Sequence, residues 1–310
     1  MNMDKLTLKS YSKVNLYLNV INKRKDGYHN INTLFERISL ADTITLKDRK
    51  DGVIRVACSD PAVPNDASNL CCKSAELLRR VSGVKAGVDI KIRKRIPVGA
   101  GLGGGSGNAA AVLLGLNKLW NLRLSKERLA KLGARIGSDV PFFIYGVSFA
   151  EGRGRGNIIR PFNEMKGLRL WHILAVPRLH VSTPLIYRKW DDFSGLIPPF
   201  LRKSSKRKER AGLTIRPSSV KLLTLALAER GSLLAPGLLF NSLEGVTVRM
   251  YPQVRRIKDR LLSLGVKPVL MSGSGPAVFG IVSSRKEALS LSAKLKKHNG
   301  SWRVFVAKTA

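Results

Sequence analysis

Acidic side chains are scarce in this chain. Only 21 Asp and Glu stand against 55 Lys and Arg, for a formal net charge of +34 over 310 residues. Cysteine is rarer still. Cys58, Cys71 and Cys72 match no metal-ligand spacing, and an odd number of thiols is no disulfide framework, so buried free thiols are expected. The opening MNMDKLTLKSYSK lacks the apolar core of a secretory signal. No run reaches the roughly 18 apolar residues that span a bilayer. A cytoplasmic protein without a membrane partner is therefore expected. Aromatic residues make up 6% of the chain, and none is interleaved with the dense basic run RKSSKRKER at Arg202–Arg210. The elsewhere diffuse charge argues against specific nucleic-acid binding. A field of that sign still draws in polyanionic small molecules and makes their affinity fall with salt. No internal repeat is present, and the length suits two ordinary domains.

The missing Walker motif is equally informative. No GxxxxGK[ST] occurs, and the single GxGxxG register lacks an acidic residue some 20 positions on, so neither a P-loop nor a dinucleotide fold is indicated. What stands in that place is PVGAGLGGGSGNAAA, Pro97–Ala111. Val88, Ile90 and Ile92 alternate with polar residues before it, and AAAVLLGLNKLW follows it, which reads as strand, glycine loop, helix. Glycines let backbone N–H groups approach a ligand, and a helix start adds unpaired donors, so the stretch has the makings of a phosphate cradle.

Around it, residues 6–20 read as strand. Val14, Leu16, Leu18 and Val20 share one face, and Lys13, Asn15, Tyr17 and Asn19 share the other. Asp26-Gly27 signals a hairpin turn that presents Tyr28 and His29. The alternation over residues 42–57 suggests a second hairpin. Asn69 and Ser125 are candidate N-caps for helices at 70–82 and 125–136. Gly137 stops the latter, and Pro141 is expected to hold Val140 extended, placing Asp139 in a bend before an apolar strand. EGRGRG at Glu151–Gly156 reads as a loop or a domain border. Residues 168–177 read as strand, and a short helix carries Tyr187. Residues 201–212 read as an exposed basic insertion, followed by helices near 217–229 and 251–264. A second glycine loop, MSGSGPAVF, follows a strand near 268–270. A helix over 285–297 and a strand over 302–307 close an α+β arrangement.

Taken together, Lys13 with Asn15, the PVGAGLGGGSGNAA loop and MSGSGPAVF resemble the GHMP kinase superfamily of galactokinase, homoserine kinase, mevalonate kinase and phosphomevalonate kinase, which binds ATP without a Walker loop. The similarity covers nearly the whole chain apart from 201–212. DGYH and GSDVPFF narrow it to the branch of non-mevalonate isoprenoid synthesis whose acceptor alcohol carries a cytidine diphosphate. The resemblance implies an α+β, two-domain GHMP kinase fold. Residues 1–160 would form a ribosomal-protein-S5-like N-terminal domain with the ATP phosphate loop, and 161–310 a ferredoxin-like C-terminal domain. It implies ATP and Mg²⁺ as cofactors, and transfer of the γ-phosphoryl to the 2-hydroxyl of a methylerythritol unit.

Residue roles follow by the same resemblance. Asp139 would be the catalytic base and Lys13 its charged partner. Pro97, Gly99, Gly101, Leu102, Gly103, Gly104, Gly105, Ser106, Gly107 and Asn108 would hold the ATP phosphates, with Asn69 and Lys94 on the adenine side. Asn15 and Thr183 would line the acceptor pocket, Tyr28 and Tyr187 would sandwich the cytosine, and His29 would read its edge. Gly273, Ser274 and Gly275 would support the site from below. Two positions depart from the family pattern: Gly107 stands where a second serine is usual, and Ser242 stands where an Asp is usual in Asn241-Ser242-Leu243-Glu244. A different kinase of the superfamily is the first alternative reading, and a basic nucleic-acid-binding protein the second. Oligomeric state is not legible.

Overall fold

The computed structural model describes residues 4–195, 220–228, 238–298 and 301–310. The basic stretch 201–212 lies outside the described residues. Among those described, two sheets carry the fold. The first is built on β1 (Lys5–Lys23) and β2 (His29–Arg49), an antiparallel hairpin paired from Lys23 opposite His29 to Lys5 opposite Lys47. Outward from it run β3 (Ile54–Cys58) and β4 (Gly87–Arg93) on one side and β8 (Phe240–Asn241) on the other, in the order β3-β4-β2-β1-β8. β5 (Phe149–Arg153) pairs with β2 and with β6 (Ile158–Pro161).

Alternation is why these segments pair as they do. Ile44 and Leu46 of β2 and Ile90 and Ile92 of β4 all turn to one face. There they pack with α1 (Leu70–Ser82), α2 (Gly104–Leu119), α3 (Lys126–Ile136) and α4 (Val140–Tyr145). On α1 the buried Cys71, Cys72, Ala75 and Leu78 recur at helical spacing. Asn69 caps α1 through Cys71 N–H, and Ser125 caps α3 through Arg128 N–H.

Three expectations of local structure are corrected. Residues 42–57 are no hairpin: β4 lies between β2 and β3, and β3 runs parallel to β4 with α1 as the crossover. Alternation marks both segments as strands but does not choose their neighbours. Residues 140–145 form a helix rather than a strand. Pro141 falls in its first turn, where a missing N–H costs no hydrogen bond. Within Glu151–Gly156 the first three residues belong to β5, and only the last three form the turn into β6. A helix over Glu244–Met250 and the short β8 were not anticipated.

The second sheet has the antiparallel order β11-β7-β10-β9, from β7 (Trp171–Val176), β9 (Val269–Met271), β10 (Val278–Val282) and β11 (Arg303–Lys308). Between β7 and β9 lie α5 (Thr183–Gly195), α6 (Val220–Ala228), α7 (Glu244–Met250) and α8 (Pro252–Ser263), and between β10 and β11 lies α9 (Arg285–His298). This strand–helix–strand–strand–helix–strand order is the ferredoxin-like arrangement. Ile257 and Leu261 of α8 and Leu291 and Leu295 of α9 pack with Ile173 and Val278 of the sheet. A further core joins the two sheets, with Val14, Leu16 and Leu34 of the first against Leu174, Leu270 and Phe279 of the second. β1 is buried on both faces from Ser12 to Leu18, which puts Lys13 and Asn15 inside the molecule.

Candidate active site

The chain leaving β4 is clamped before the glycines begin. Asp42, fully buried, accepts from Arg95 N–H at 2.7 Å and Ile96 N–H at 2.9 Å, and ion-pairs with Lys94 Nζ. The following loop takes positive φ at Gly99, Gly101 and Gly103, of +66°, +75° and +68°. Gly101 is pressed from above: a Cβ there would stand 2.2 Å from Ser272 O. Hydrogen bonds fix the loop on both sides. Lys13 N–H donates to Leu102 O at 2.9 Å, Ala277 N–H to Ala100 O at 3.1 Å and Ser272 Oγ to Gly101 O at 3.0 Å. Gly103 then starts α2 with no side-chain cap. The first-turn N–H groups of α2 are left for a ligand, at the positive end of the helix dipole.

Lys13 reaches this loop from β1. Its Nζ donates to Asn15 Oδ1 at 2.6 Å and to Gly101 O at 3.0 Å, and lies 3.5 Å from Asp139 Oδ2. An ammonium has three donors, and all three are directed. The Lys13 side chain is 5% exposed and that of Asp139 is 29% exposed, so the amine is buried and the carboxylate faces the cavity. Burial lowers the Lys13 pKa, and the charge and hydrogen bond of Asp139 offset only part of that fall. Asp139 owes its place to the stop of α3 at Gly137 and the start of α4.

The loop, this pair and α5 enclose a cavity of about 1010 Å³. Pro97, Gly99, Gly101, Leu102, Gly103, Gly104, Gly105, Ser106 and Asn108 line it, with Asn69, Lys94 and the apolar Val63, Pro64, Leu70 and Ile92. Asn69 is already committed: its Oδ1 caps α1 and its Nδ2 donates to Pro64 O at 2.7 Å. Elsewhere the wall is Tyr28, His29, Thr183, Tyr187, Gly273 and Ser274. Thr183 Oγ1 and Ser274 Oγ share a hydrogen bond of 2.8 Å, and Asn241 Nδ2 donates to both Met271 O and Gly273 O at 2.8 Å.

Three expected contacts stand outside the cavity wall. Asn15 is 1% exposed and acts on Lys13, while its own amide donates to Thr33 Oγ1. Gly107 faces β1, where a Cβ would meet Tyr11 O at 2.6 Å, so its lack of a hydroxyl takes nothing from the phosphate side. Gly275 packs on Met271 and Thr247. Ser242 is structural too: its Oγ accepts from Val20 N–H at 3.0 Å. The Tyr28–Tyr187 sandwich is also modified. Tyr187 stacks directly on His29, with centroids 4.9 Å apart, whereas Tyr28 is 54% exposed with Arg155 lying 4.7 Å over its ring. Burial, reinforced by the Asp139 charge, holds the Tyr187 phenol above its usual range. Sequence reasoning missed Asp191, Arg155 and Arg188 on this wall. Asp191 was detectable, lying one helical turn after Tyr187.

A glycine loop at a helix start, with a buried lysine and a carboxylate beside it, defines a phosphotransferase site of the GHMP type. The GHMP kinases N terminal domain matches residues 69–147 and the GHMP kinases C terminal domain matches 222–300. Within that superfamily the chain belongs to the 4-diphosphocytidyl-2-C-methyl-D-erythritol kinases. It is 41% identical to the kinase of that name from Moorella thermoacetica, over 95% of this chain and 96% of the relative. It is 38% identical to that of Geobacter sp. strain M21, over 99% and 100%. The crystal structure of a 4-(cytidine 5'-diphospho)-2C-methyl-D-erythritol kinase superposes with a TM-score of 0.75 at 32% identity, covering 98% of both chains. The L. major mevalonate kinase structure, at 18% identity and a TM-score of 0.72, shares the fold. Among the described residues no helix is long and apolar enough to cross a membrane.

Proposed function

We propose that this protein transfers the γ-phosphoryl group of ATP to the 2-hydroxyl of 4-diphosphocytidyl-2-C-methyl-D-erythritol, giving the 2-phosphate and ADP, on the non-mevalonate route to isopentenyl diphosphate. The observation that carries the reading is one cavity holding the Lys13–Asp139 pair, the start of α2 and the His29–Tyr187 stack, in a chain about as long as relatives of that one name.

The N–H groups of Gly104, Gly105 and Ser106 bind the ATP phosphates. Asp139 accepts a hydrogen bond from the acceptor hydroxyl and orients it for in-line attack. A carboxylate is too weak a base to ionise an alcohol beforehand, so Asp139 takes the proton late, as the new O–P bond forms and the bond to ADP breaks. As Asp139 becomes neutral, the third donor of Lys13 turns to the transferring phosphoryl. Among the described residues no group of three or more His, Cys, Asp or Glu is placed to hold a metal. A Mg²⁺ ion bound with ATP would neutralise phosphate charge, and Ser106 is the hydroxyl of the loop that would help to hold it.

An ADP-release assay with ATP, Mg²⁺ and the cytidyl acceptor, beside mevalonate, homoserine and galactose, tests the reading. Turnover with the cytidyl acceptor alone is expected, and turnover only with another acceptor would sink it. Two further results are expected. Because turnover needs the Lys13 ammonium and burial lowers its pKa, kcat falls on the alkaline side with a midpoint below the ordinary 10.5. A pH–rate profile of wild type against Lys13→Arg checks this, and the alkaline limb disappears in the variant. Given the +34 charge, KM for both polyanionic substrates rises severalfold with added salt while kcat holds, as initial rates in a KCl series will report.

A further inference from the structure

His29 is held by a carboxylate. Its Nε2 lies 2.7 Å from Asp191 Oδ1, and Lys23 Nζ reaches Asp191 Oδ2 at 2.9 Å. Asp191 follows Tyr187 by one turn of α5, so the helix face that supplies the stacking ring also supplies the carboxylate. The His29 side chain is 5% exposed, its ring stacked on Tyr187 and set edge-on to Trp190 at 5.9 Å. Turning it over breaks the bond to Asp191. Burial pushes the Asp191 carboxyl up, but the hydrogen bonds from His29 and Lys23 together outweigh it and hold the group below its usual range. An ionised carboxylate only accepts hydrogen bonds. A neutral His29 therefore carries its proton on Nε2. Its Nδ1 makes no hydrogen bond among the described residues and keeps a bare lone pair.

We propose that Asp191, pinned by Lys23, selects the tautomer of His29 and so sets base selectivity, with Nδ1 accepting from the exocyclic amino group of cytosine and refusing the carbonyl that uracil carries in its place. This rests on the reading that the acceptor carries a cytidine diphosphate. Asp191 is a positioning residue that acts through His29. Two acceptors brought face to face in a buried site leave both unpaired, which is how such sites reject a close analogue.

Asp191→Asn and Asp191→Glu test it, since Asp191 is partly exposed and both changes spare the core. The first readout needs no substrate: the ¹⁵N shifts of the imidazole nitrogens in the full-length protein, with His29 assigned by the signal lost in His29→Gln. Wild type and Asp191→Glu are expected to show the Nε2–H tautomer. Asp191→Asn is expected to show a mixture, because a carboxamide both donates and accepts. The second readout is KM and kcat with the cytidyl acceptor and its uridyl counterpart. In Asp191→Asn the cytidyl preference in kcat/KM is expected to fall about tenfold or more, mainly through KM, and Asp191→Glu is expected to restore it. Wild-type His29 protonated on Nδ1 overturns the proposal. So does an Asp191→Asn variant in which either the tautomer or the preference stays put. Should wild type turn over neither acceptor, the functional reading fails, while the ring-nitrogen shifts still decide what Asp191 does to His29.

Discussion

Asp139→Asn lowers kcat by about 10²–10⁴ while ATP and the acceptor still bind, the range expected when a positioned proton acceptor is removed. The carboxamide fills nearly the same volume at the bend between α3 and α4, so the cavity keeps its shape. What changes is charge and basicity. The amide oxygen still accepts from the hydroxyl, but it takes no proton, so the attacking hydroxyl has nowhere to pass its own. Lys13 also loses its anionic partner at 3.5 Å, with burial already acting against its ammonium. Its alkaline limit therefore moves to lower pH in the same variant. Steady-state kinetics alongside calorimetric binding of each substrate checks both parts. Turnover within threefold of wild type would remove Asp139 as the proton acceptor. Loss of binding in proportion to turnover would recast it as a binding group.

Gly101→Ala is expected to lower stability sharply. The added Cβ would lie 2.2 Å from Ser272 O and 3.1 Å from Gly275 O, both backbone atoms, at a φ of +75°. Left-handed backbone costs an alanine about 1–2 kcal/mol, and overpacking adds about 1–3 kcal/mol. Relief by movement is restricted, because Asn241 holds the 271–273 backbone and Ala277 N–H holds Ala100 O. Whatever shift does occur separates Gly101 O from Lys13 Nζ and Ser272 Oγ, so turnover falls with stability. A lower urea midpoint with kcat/KM reduced at least a hundredfold is the expected result. Gly105→Ala is the control for stability, since its Cβ would meet only Leu70 Cδ1 at 3.5 Å. Equal midpoints for the two variants would show that the second loop does not brace the first.

Arg155 and Arg188 were invisible as site residues because nothing local separates them from the many other basic side chains of the chain. Only the turn between β5 and β6 and the rim of α5 bring them to the cavity. Gly107 shows the opposite case. It sits inside the most legible motif of the sequence, yet it serves packing against Tyr11 rather than the phosphate side, because successive residues of a helix point in different directions. Asn15 was legible as a neighbour of Lys13 on one strand face, but not as the group that steers Lys13 while staying out of the cavity.

What the sequence determined by itself is local and periodic: the strand–loop–helix at Pro97–Ala111, the caps at Asn69 and Ser125, the hairpin turn at Asp26-Gly27 and the second glycine loop. Each follows from spacing, turn chemistry or capping within a few residues. Tertiary structure alone decided that β4 separates β2 from β3, that the loop from 271 to 277 closes over Gly101, and that Asp191 fixes His29 from 162 positions away in the chain. Pairing partners and long-range hydrogen bonds depend on how whole elements fill a shared core, and no window of sequence shorter than the chain contains that information.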